Sequence, residues 1–272
     1  MNELCQFLRD AATGDLLPWT AQVAAAARFV RSVAAIEGEA LELGLLPARY
    51  QRNRATISVE QQLRLFQSRV VVIGCGGLGG YVIEQLARLG VGAIVAVDPD
   101  VFEEHNLNRQ VLSSIAALGR AKVEVAAERI AQINPAVTLI PVREFFARER
   151  TEMLADADAV VDALDSIPTR LDLSTVCGDR GIPLVHAAIA GWYGQVITEF
   201  PGAPMLERLY RNATPRGAEQ TLGNPAFTPA VMASIQTAEI CKILLNLGRP
   251  LRGRVISVDL QEMGFDEVTL ED

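Results

Sequence analysis

The chain has few of the side chains that define several common protein classes. Its four cysteines are isolated, at positions 5, 75, 177 and 241, with no C-x-x-C pair and no histidine nearby at ligand spacing. That pattern argues against a structural zinc site. The cysteines at positions 75, 177 and 241 lie among small or apolar residues, where a free cysteine usually packs as a small hydrophobic side chain.

Long uncharged apolar stretches and a basic leader are also missing. No window reaches the ~18 uncharged apolar residues of a membrane-spanning helix, and the N-terminus carries Glu3, Arg9 and Asp10 where a signal peptide would be basic and then apolar. Basic residues number 25 against 33 acidic ones, which gives a net charge of −8 and a pI near 5.0. We expect a cytoplasmic protein, and this charge argues against a nucleic-acid partner because such a partner usually meets a basic patch.

The composition is otherwise that of an ordinary globular protein, with 50% hydrophobic and 21% charged residues. A length of 272 residues suffices for a substantial core in one large or two small domains. Residues 1–48 are rich in Ala and Leu, and their apolar spacing favours helices punctuated by Pro18 and Pro47. We therefore predict an N-terminal helical extension, residues 1–48, followed by a main domain, residues 49–272.

The main domain contains a glycine-rich turn. The apolar residues 70–73 predict a strand, and residues 81–89 have the spacing of an amphipathic helix. Between them lie Gly74, Gly76, Gly77 and Gly79. Glycines let the backbone approach a phosphate closely, and the helix N-terminus offers free N–H donors to an anion. A second apolar run ends at Asp98, nineteen positions beyond Gly79, where an acid would hold a ribose hydroxyl.

Further polar and charged side chains follow Asp98. The chain continues through Asp100, Asn106 and Arg109, and Lys122 comes thirteen residues after Arg109. A dinucleotide carries only a pyrophosphate, which the glycine turn and the helix dipole largely satisfy, so additional cations favour a triphosphate whose charge must be balanced during transfer. Asn106 and Arg109 are three residues apart, so they would share one face on the first turn of a helix.

A later apolar run, residues 159–164, predicts a buried parallel strand that delivers Asp162 and Asp165 to its carboxyl end, where ligands bind in open parallel sheets. Asp162 has two interpretations, a direct role or a supporting one. His186 lies within another apolar strand, and we expect a core histidine with satisfied hydrogen bonds. The alternating strands and helices predict an α/β fold that is Rossmann-like, with a mostly parallel central sheet, helices on both faces and a small antiparallel C-terminal extension.

From Arg49 to about Leu260, these motifs resemble the ThiF/MoeB/HesA family, the bacterial relatives of ubiquitin-activating enzymes. The resemblance implies a homodimer that uses ATP and magnesium to adenylate the C-terminal glycine carboxylate of a small ubiquitin-like sulfur-carrier protein ending in Gly-Gly, with release of pyrophosphate. ThiF and MoeB act in this way in thiamine and molybdopterin synthesis. Many members bind zinc through two C-x-x-C pairs, and this chain lacks those cysteines, so it would be a zinc-less member.

The resemblance also assigns roles to residues after the second strand. Asp98 and Asp100 would belong to the nucleotide site, with Asp98 fixing the ribose. Asn106 and Arg109 would contact the ATP phosphates. Lys122 matches the family's phosphate lysine, which would stabilise the charge that develops on the α-phosphate and the departing pyrophosphate.

Two further candidates come from other segments. Asp165 matches the magnesium-holding residue of the family's Asp-x-x-Asp-Asn motif, although Ser166 replaces the asparagine. The segment Arg49-Tyr50-Gln51-Arg52-Asn53 resembles Arg-Tyr-x-Arg-Gln, whose second arginine reaches into the partner subunit's ATP site, so Arg52 is a candidate catalytic residue acting in trans. Members that form a thioester or persulfide keep a cysteine in the segment that corresponds to residues 201–229, and this chain has none there. The expected chemistry therefore ends at the acyl-adenylate, with sulfur supplied by another protein.

Three alternatives stay open. A tRNA-modifying dehydratase of the same fold activates a carboxylate on threonylcarbamoyl-adenosine, and the acidic charge counts against it. A nucleotide-binding partner subunit without activity would lack catalytic side chains, whereas Arg109, Lys122 and Asp165 are all present. An NAD-dependent oxidoreductase would need a hydride-transfer site, for which the sequence offers no convincing set of residues.

Overall fold

The N-terminal part of the chain is a small helical layer. The computed structural model describes residues 3–211 and 219–269. The elements of this layer are α1 (Glu3–Ala11), β1 (Leu16–Leu17), α2 (Trp19–Phe29), α3 (Val33–Glu42) and β2 (Leu46–Pro47). The three helices pack around an apolar cluster that includes Leu8, Leu17 and Ile36, and β1 pairs in parallel with β2. The predicted helices are present, and the division of the chain at residue 48 stays a prediction.

A buried polar network joins this layer to the main domain. The fully buried Glu37 accepts a hydrogen bond from the Tyr50 hydroxyl at 2.7 Å and forms an ion pair with Arg49. Arg49 also donates to Asn134 Oδ1 at 2.9 Å, and Asn134 Nδ2 donates to the Tyr50 oxygen at 2.7 Å. Burial raises the pKa of Glu37, an effect that Arg49 and Tyr50 oppose. Because each polar group has a partner, the network fixes the chain around residues 49–50.

The main domain alternates strands and helices. Its elements are α4 (Val59–Gln67), β3 (Arg69–Ile73), α5 (Gly77–Leu89), β4 (Ala93–Val97), α6 (Lys122–Ile133), β5 (Thr138–Val142), β6 (Ala159–Asp162), α7 (Ile167–Arg180), β7 (Leu184–Ala190), β8 (Tyr193–Glu199), α8 (Leu206–Leu209), α9 (Glu219–Leu222), α10 (Phe227–Leu245), β9 (Arg254–Asp259) and β10 (Gly264–Thr269). Helix α4 begins with a reciprocal capping box between Ser58 and Gln61, as those residue types predict. Within the described ranges, no helix is both long and apolar enough to cross a membrane.

Eight of the strands form one mixed sheet in the order β10-β9-β8-β7-β6-β3-β4-β5. Strands β3 to β7 run parallel, and β8, β9 and β10 are antiparallel to their neighbours. This arrangement confirms the predicted fold class. Ile73, at the end of β3, is level with Val97 of β4 and Asp162 of β6. The chain continues from β3 to β4 and β5 on one side, and β6 then returns to the other side of β3. This reversal of strand order is a switch point, where a crevice opens at the carboxyl ends of the strands.

Both faces of the inner parallel strands β3, β4 and β6 are buried. Val70 and Val72 of β3 belong to the apolar cluster formed with α5 and α10, whereas Val71 and Ile73 belong to the cluster formed with α7. Alternate residues of one strand therefore contact opposite helical layers, which explains why β3 is a continuous apolar run rather than an alternating one.

Candidate functional site

The glycine turn, residues 74–79, needs glycine at two of its positions because neighbouring backbone atoms leave no space for a side chain. Gly74 has a φ of 95°, which L side chains rarely adopt, and a Cβ there would lie 2.5 Å from the Ala163 carbonyl oxygen. A Cβ on Gly79 would lie 1.8 Å from the Gly74 carbonyl oxygen. By contrast, a Cβ on Gly76 or Gly77 would meet nothing closer than 3.6 and 3.5 Å. Gly74 and Gly79 thus hold the turn against the end of β6, while Gly76 and Gly77 leave room beside the turn.

A cleft of about 460 Å³ opens at the carboxyl edge of the parallel strands, beside this turn. It brings together most of the residues that the sequence singled out: Gly74, Gly76, Gly77, Asp98, Asp100, Arg109, Lys122 and Asp165. The cations after β4 and the carboxylate after β6 therefore share one cleft with the glycine turn. Gly79, Asn106 and Arg52 do not line it.

Asp98 connects the turn to the end of β4. The residue is 6% exposed, and its two side-chain oxygens accept hydrogen bonds from the backbone N–H groups of Cys75 at 2.7 Å and Asp100 at 2.9 Å. Lys122 Nζ donates to Asp100 Oδ2 at 2.9 Å and lies 3.8 Å from Asp98 Oδ1. The ammonium group of Lys122 is thus largely buried in the cleft wall, with a carboxylate on either side to balance its charge.

Arg109 has a different environment. Its Nη1 donates to the His105 carbonyl oxygen at 3.1 Å and to Asn108 Oδ1 at 2.9 Å, both of which are neutral. Among the described residues, no carboxylate forms an ion pair with this guanidinium group. Asn106 is buried, and its Oδ1 accepts from the Glu103 N–H at 3.0 Å, which caps a 3₁₀ turn rather than the predicted helix. Asn106 therefore fixes the segment from which Arg109 enters the cleft.

Asp165 lies in the loop between β6 and α7, with an exposed side chain. In the described part of the chain, no group donates a hydrogen bond to its carboxylate, and no group of three or more His, Cys, Asp or Glu side chains could hold a metal ion. A single free carboxylate fits magnesium, which commonly binds one or two protein carboxylates and completes its shell with phosphate oxygens and water. The Ser166 hydroxyl, which replaces the family's amide, accepts a hydrogen bond from Thr169 Oγ1 at 2.9 Å.

A closed ring of hydrogen bonds braces the residue before Asp165. Asp162 Oδ1 accepts from the Leu164 N–H at 2.9 Å, and Oδ2 lies 2.7 Å from His186 Nδ1, with both side chains fully buried. Burial lowers the pKa of His186, so its imidazole is neutral. The imidazole Nε2 accepts a hydrogen bond from the Tyr210 hydroxyl at 3.0 Å. Arg170 donates to Tyr210 at 2.9 Å and to the Leu164 carbonyl oxygen at 3.1 Å. Asp162 therefore has the supporting role, and His186 is the satisfied core histidine that the sequence predicted.

Arg52 lies apart from the cleft of its own chain. It follows a short 3₁₀ helix, Ala48–Tyr50, and its side chain is exposed. Within residues 3–211 and 219–269 it has no hydrogen bond or ion pair. A catalytic role of Arg52 in this chain's own cleft therefore finds no support in the geometry, and the role in a second subunit stays a prediction.

Sequence reasoning passed over five polar side chains that line the cleft, Gln110, Glu144, Thr169, Arg170 and Asn224. Gln110 directly follows Arg109, so adjacency to a predicted site residue was a usable signal. Arg170 lies one helical turn into α7, close in sequence to Asp165. Asn224 comes from the long segment 201–229, whose path a single sequence does not define.

The cysteines have the environments expected of packing residues. Burial raises the pKa of Cys177 to about 12 and that of Cys241 to about 11. Cys75 is completely buried within the glycine turn, and burial also raises its pKa, with the Asp98 charge adding to the effect. None of these three thiols lines the cleft, so none is placed to act as a thiolate nucleophile there.

Comparison with known proteins identifies the family. Residues 50–272 match the model of the ThiF family. The chain is 40% identical over 226 residues to the SAMP-activating enzyme E1 of Haloferax volcanii, covering 81% of this chain and 84% of that protein. It is 36% identical over 235 residues to the sulfur carrier protein adenylyltransferase of Thermus thermophilus, covering 82% and 86%. The solved structure of Escherichia coli MccB with ATP shares the fold, with a TM-score of 0.67 and 22% identity over 81% of this chain and 70% of that chain. The chain therefore belongs to the ThiF family, as its sequence motifs predicted.

Proposed function

We propose that this protein is an ATP-dependent adenylyltransferase that activates the C-terminal glycine carboxylate of a small ubiquitin-like sulfur-carrier protein. The observation that carries the proposal is one cleft in which the glycine turn meets the cations of Arg109 and Lys122 and the free carboxylate of Asp165. The relatives in Haloferax volcanii and Thermus thermophilus, named for SAMP activation and for sulfur-carrier adenylylation, support the choice of substrate.

The proposed nucleotide site follows from the donors and acceptors in the cleft. The backbone N–H groups of the glycine turn and the N-terminus of α5 would bind the phosphates. Asp98 would accept hydrogen bonds from the ribose hydroxyls, since its oxygens have capacity beyond the two backbone N–H groups that they already accept from. Lys122 would exchange Asp100 for a phosphate oxygen when the triphosphate binds.

In the proposed reaction, a carrier carboxylate oxygen attacks the α-phosphorus and the bond from that phosphorus to the pyrophosphate breaks. The products are the carrier acyl-adenylate and pyrophosphate. Arg109 has no carboxylate partner among the described residues, so its charge is available to the departing pyrophosphate. Asp165 would hold magnesium, which when bound neutralises part of the triphosphate charge. Most of the rate enhancement would come from holding the two reactants in line and from charges already in place.

The proposal extends to the quaternary level and to the sulfur source. Arg52 would complete the active site of a second copy of the chain in a homodimer, and residues 1–48 would form an extension that holds the Arg52 segment in place. Because no cysteine of the described residues lines the cleft, the carrier would leave as the acyl-adenylate and receive sulfur from another protein.

The test is ATP–pyrophosphate exchange with purified candidate carriers ending in Gly-Gly. We expect exchange that depends on the carrier and is lost when its last glycine is removed, because the terminal carboxylate then no longer reaches the α-phosphorus. Exchange with no carrier, but with threonylcarbamoyl-adenosine tRNA, would overturn the sulfur-carrier proposal in favour of the dehydratase.

A further inference from the structure

We infer that Gln110 is a phosphate-binding residue of the cleft, whose side-chain amide donates a hydrogen bond to an oxygen of the nucleotide's phosphate chain. The inference rests on the proposed function, because it takes the occupant of the cleft to be ATP. It deepens that proposal by assigning a neutral donor beside the two cations.

The observation that leads to Gln110 is an amide without a partner. The residue is 6% exposed and lines the cleft, and its Oε1 is buried without any hydrogen bond. No described residue accepts a hydrogen bond from its Nε2 either. Nε2 is not among the buried unpartnered atoms, so it is the amide atom that stays accessible from the cleft. An acceptor oxygen on a ligand would supply the hydrogen-bond partner that Nε2 lacks.

Comparison with similar glutamines makes the case specific. Gln62 and Gln236 also carry a buried Oε1 without a partner. However, the Nε2 of Gln62 donates to the Leu89 carbonyl oxygen at 2.7 Å, and the Nε2 of Gln236 donates to two backbone carbonyl oxygens at 3.0 and 3.1 Å. These two amides cross-link elements of the fold, and neither lines the cleft. Gln110 has no such structural bond.

The backbone places the side-chain amide of Gln110 beside the glycine turn. The Gln110 N–H donates to the Asn106 carbonyl oxygen at 3.0 Å, and the Gln110 carbonyl oxygen accepts from the Ser113 N–H at 2.9 Å, so the main chain is fixed. A Cβ built on Gly76 would lie 3.6 Å from Gln110 Nε2. The side-chain amide therefore faces the same turn whose N–H groups would bind phosphate, and it is positioned before any ligand arrives.

The chemistry of the cleft selects a phosphate rather than a cation. An amide N–H donates to anionic oxygens, and Arg109, whose Cγ would lie 3.8 Å from a Cβ on Gly77, attracts such oxygens to the same turn. A neutral donor adds one hydrogen bond there without further charge repulsion between the cations. Adenosine, which has no phosphate, would not reach this bond.

The test measures binding of adenosine and of a non-hydrolysable ATP analogue to the whole protein by calorimetry. Gln110→Met keeps the side-chain length but removes the donor, and we expect about tenfold or more weaker binding of the analogue, with adenosine binding unchanged. Gln110→Glu places a negative charge beside the phosphates and should weaken analogue binding further. Gln62→Met is the matched control, and it should lower thermal stability without altering either affinity, because Gln62 bonds the Leu89 carbonyl oxygen and does not line the cleft.

Each outcome decides the matter. Equal analogue affinity of the wild type and Gln110→Met would overturn the role of Gln110 while leaving ATP binding intact. Equal weakening of adenosine and analogue would also overturn it, since the defect would then lie outside the phosphates. If the wild type bound neither ligand, the proposed function itself would fail, which is distinguishable from failure of the Gln110 inference alone.

Discussion

Lys122 and Arg109 differ in how their charges are balanced before a ligand binds. Lys122 has Asp100 at 2.9 Å and Asp98 at 3.8 Å, whereas Arg109 contacts only neutral oxygens among the described residues. A buried lysine retains its charge at low cost only with such partners. The two cations therefore suit different tasks. The carboxylates hold Lys122 in the cleft wall, whereas Arg109 has no ion pair to give up when it binds the negative charge that develops on the pyrophosphate.

The first prediction concerns Lys122. Lys122→Met removes the charge but keeps the side-chain length, and it should slow carrier-dependent exchange by about 10²–10³-fold, as loss of one preorganised transition-state donor does. The only other lysine of the sequence, Lys242, pairs with Glu239 on α10 and is absent from the cleft. Lys242→Met should therefore exchange at the wild-type rate. Wild-type exchange by Lys122→Met would remove this lysine from the proposed chemistry.

The second prediction concerns Asp165. Asp165→Asn keeps the shape of the side chain and removes its charge, so exchange should fall by about 10²-fold or more and require a higher magnesium concentration. Binding of the ATP analogue without magnesium should be unchanged. Asp172→Asn, an exposed substitution on α7, is the control. An unaltered magnesium dependence in Asp165→Asn would assign the metal to another group.

At the scale of elements, the glycine turn and the β6 exit loop form one unit. Gly74 contacts Ala163, and the ring around Leu164 links that loop to β7 and to Tyr210 beyond α8. The glycine turn and the loop that carries the free carboxylate of Asp165 are thus fixed relative to each other by direct contact. A substitution that shifts the glycine turn is therefore expected to shift the β6 exit loop as well, and the reverse.

The third prediction tests the turn. Gly79→Ala should destabilise the fold by about 3 kcal/mol or more, because its Cβ would lie 1.8 Å from the Gly74 carbonyl oxygen. Gly178→Ala, on the exposed side of α7 with nothing within 4 Å, should be neutral or stabilising by about 0.5–1 kcal/mol. Urea unfolding of the three proteins measures both effects. Equal stability of Gly79→Ala and the wild type would show that the turn relaxes.

The fourth prediction tests the hydrogen-bonded ring that contains Asp162 and His186 by the pH dependence of protein stability. His186 is neutral in the folded protein because burial lowers its pKa below the ordinary value of 6.5. Below about pH 6.5 the unfolded chain binds a proton at this residue that the folded chain does not, so stability must fall as the pH falls, by up to about 1.4 kcal/mol per pH unit.

The measurement is the unfolding free energy between pH 5 and 7 for paired histidine variants. His186→Gln has no titrating ring, and an amide can donate to Asp162 and accept from Tyr210, so its slope should be flatter than that of the wild type. The only other histidine, His105, is exposed, and His105→Gln should keep the wild-type slope. Identical slopes for all three would mean that His186 titrates normally in the fold.

The strands and helices also show which features of the fold could be predicted from the sequence. Continuous apolar runs predicted the inner parallel strands β3, β4 and β6 because both faces of those strands are buried, and the glycine spacing predicted the turn. Helix α5 begins at Gly77, four residues before the predicted position, because its first turn is made of the glycines themselves. The ring joins residues far apart in the chain, such as Asp162 and Tyr210. No local pattern signals such a contact, and the unpartnered amide of Gln110 likewise emerges only in three dimensions.

At the scale of the whole molecule, the question is whether one chain makes a complete active site. The network of Glu37, Arg49, Tyr50 and Asn134 fixes the chain just before Arg52, and the Asn53 N–H donates to the Tyr50 carbonyl oxygen at 2.8 Å. Arg52 therefore projects from a fixed turn, yet it is exposed and absent from its own cleft. An exposed arginine on so well-supported a turn is suited to reach a second copy of the chain.

The fifth prediction tests this by mixing inactive variants. Arg52→Ala leaves the cleft of its own chain intact, whereas Lys122→Met damages its own cleft and still presents Arg52 to a partner. A mixed dimer should then contain one working site. Random exchange of subunits makes half of the dimers mixed, each with one of two sites active, so exchange should recover to about a quarter of the wild-type rate.

The control for this experiment pairs two variants of the same cleft. Lys122→Met and Asp165→Asn each damage the cleft of their own chain, so a mixed dimer has no working site and should show no recovery. Native mass spectrometry establishes that subunits have exchanged in both mixtures. Recovery only in the mixture that contains Arg52→Ala would mean that the arginine acts across the interface. No recovery in either mixture, despite exchanged subunits, would mean that Arg52 does not act across the interface. Wild-type exchange by Arg52→Ala alone would place Arg52 outside the chemistry.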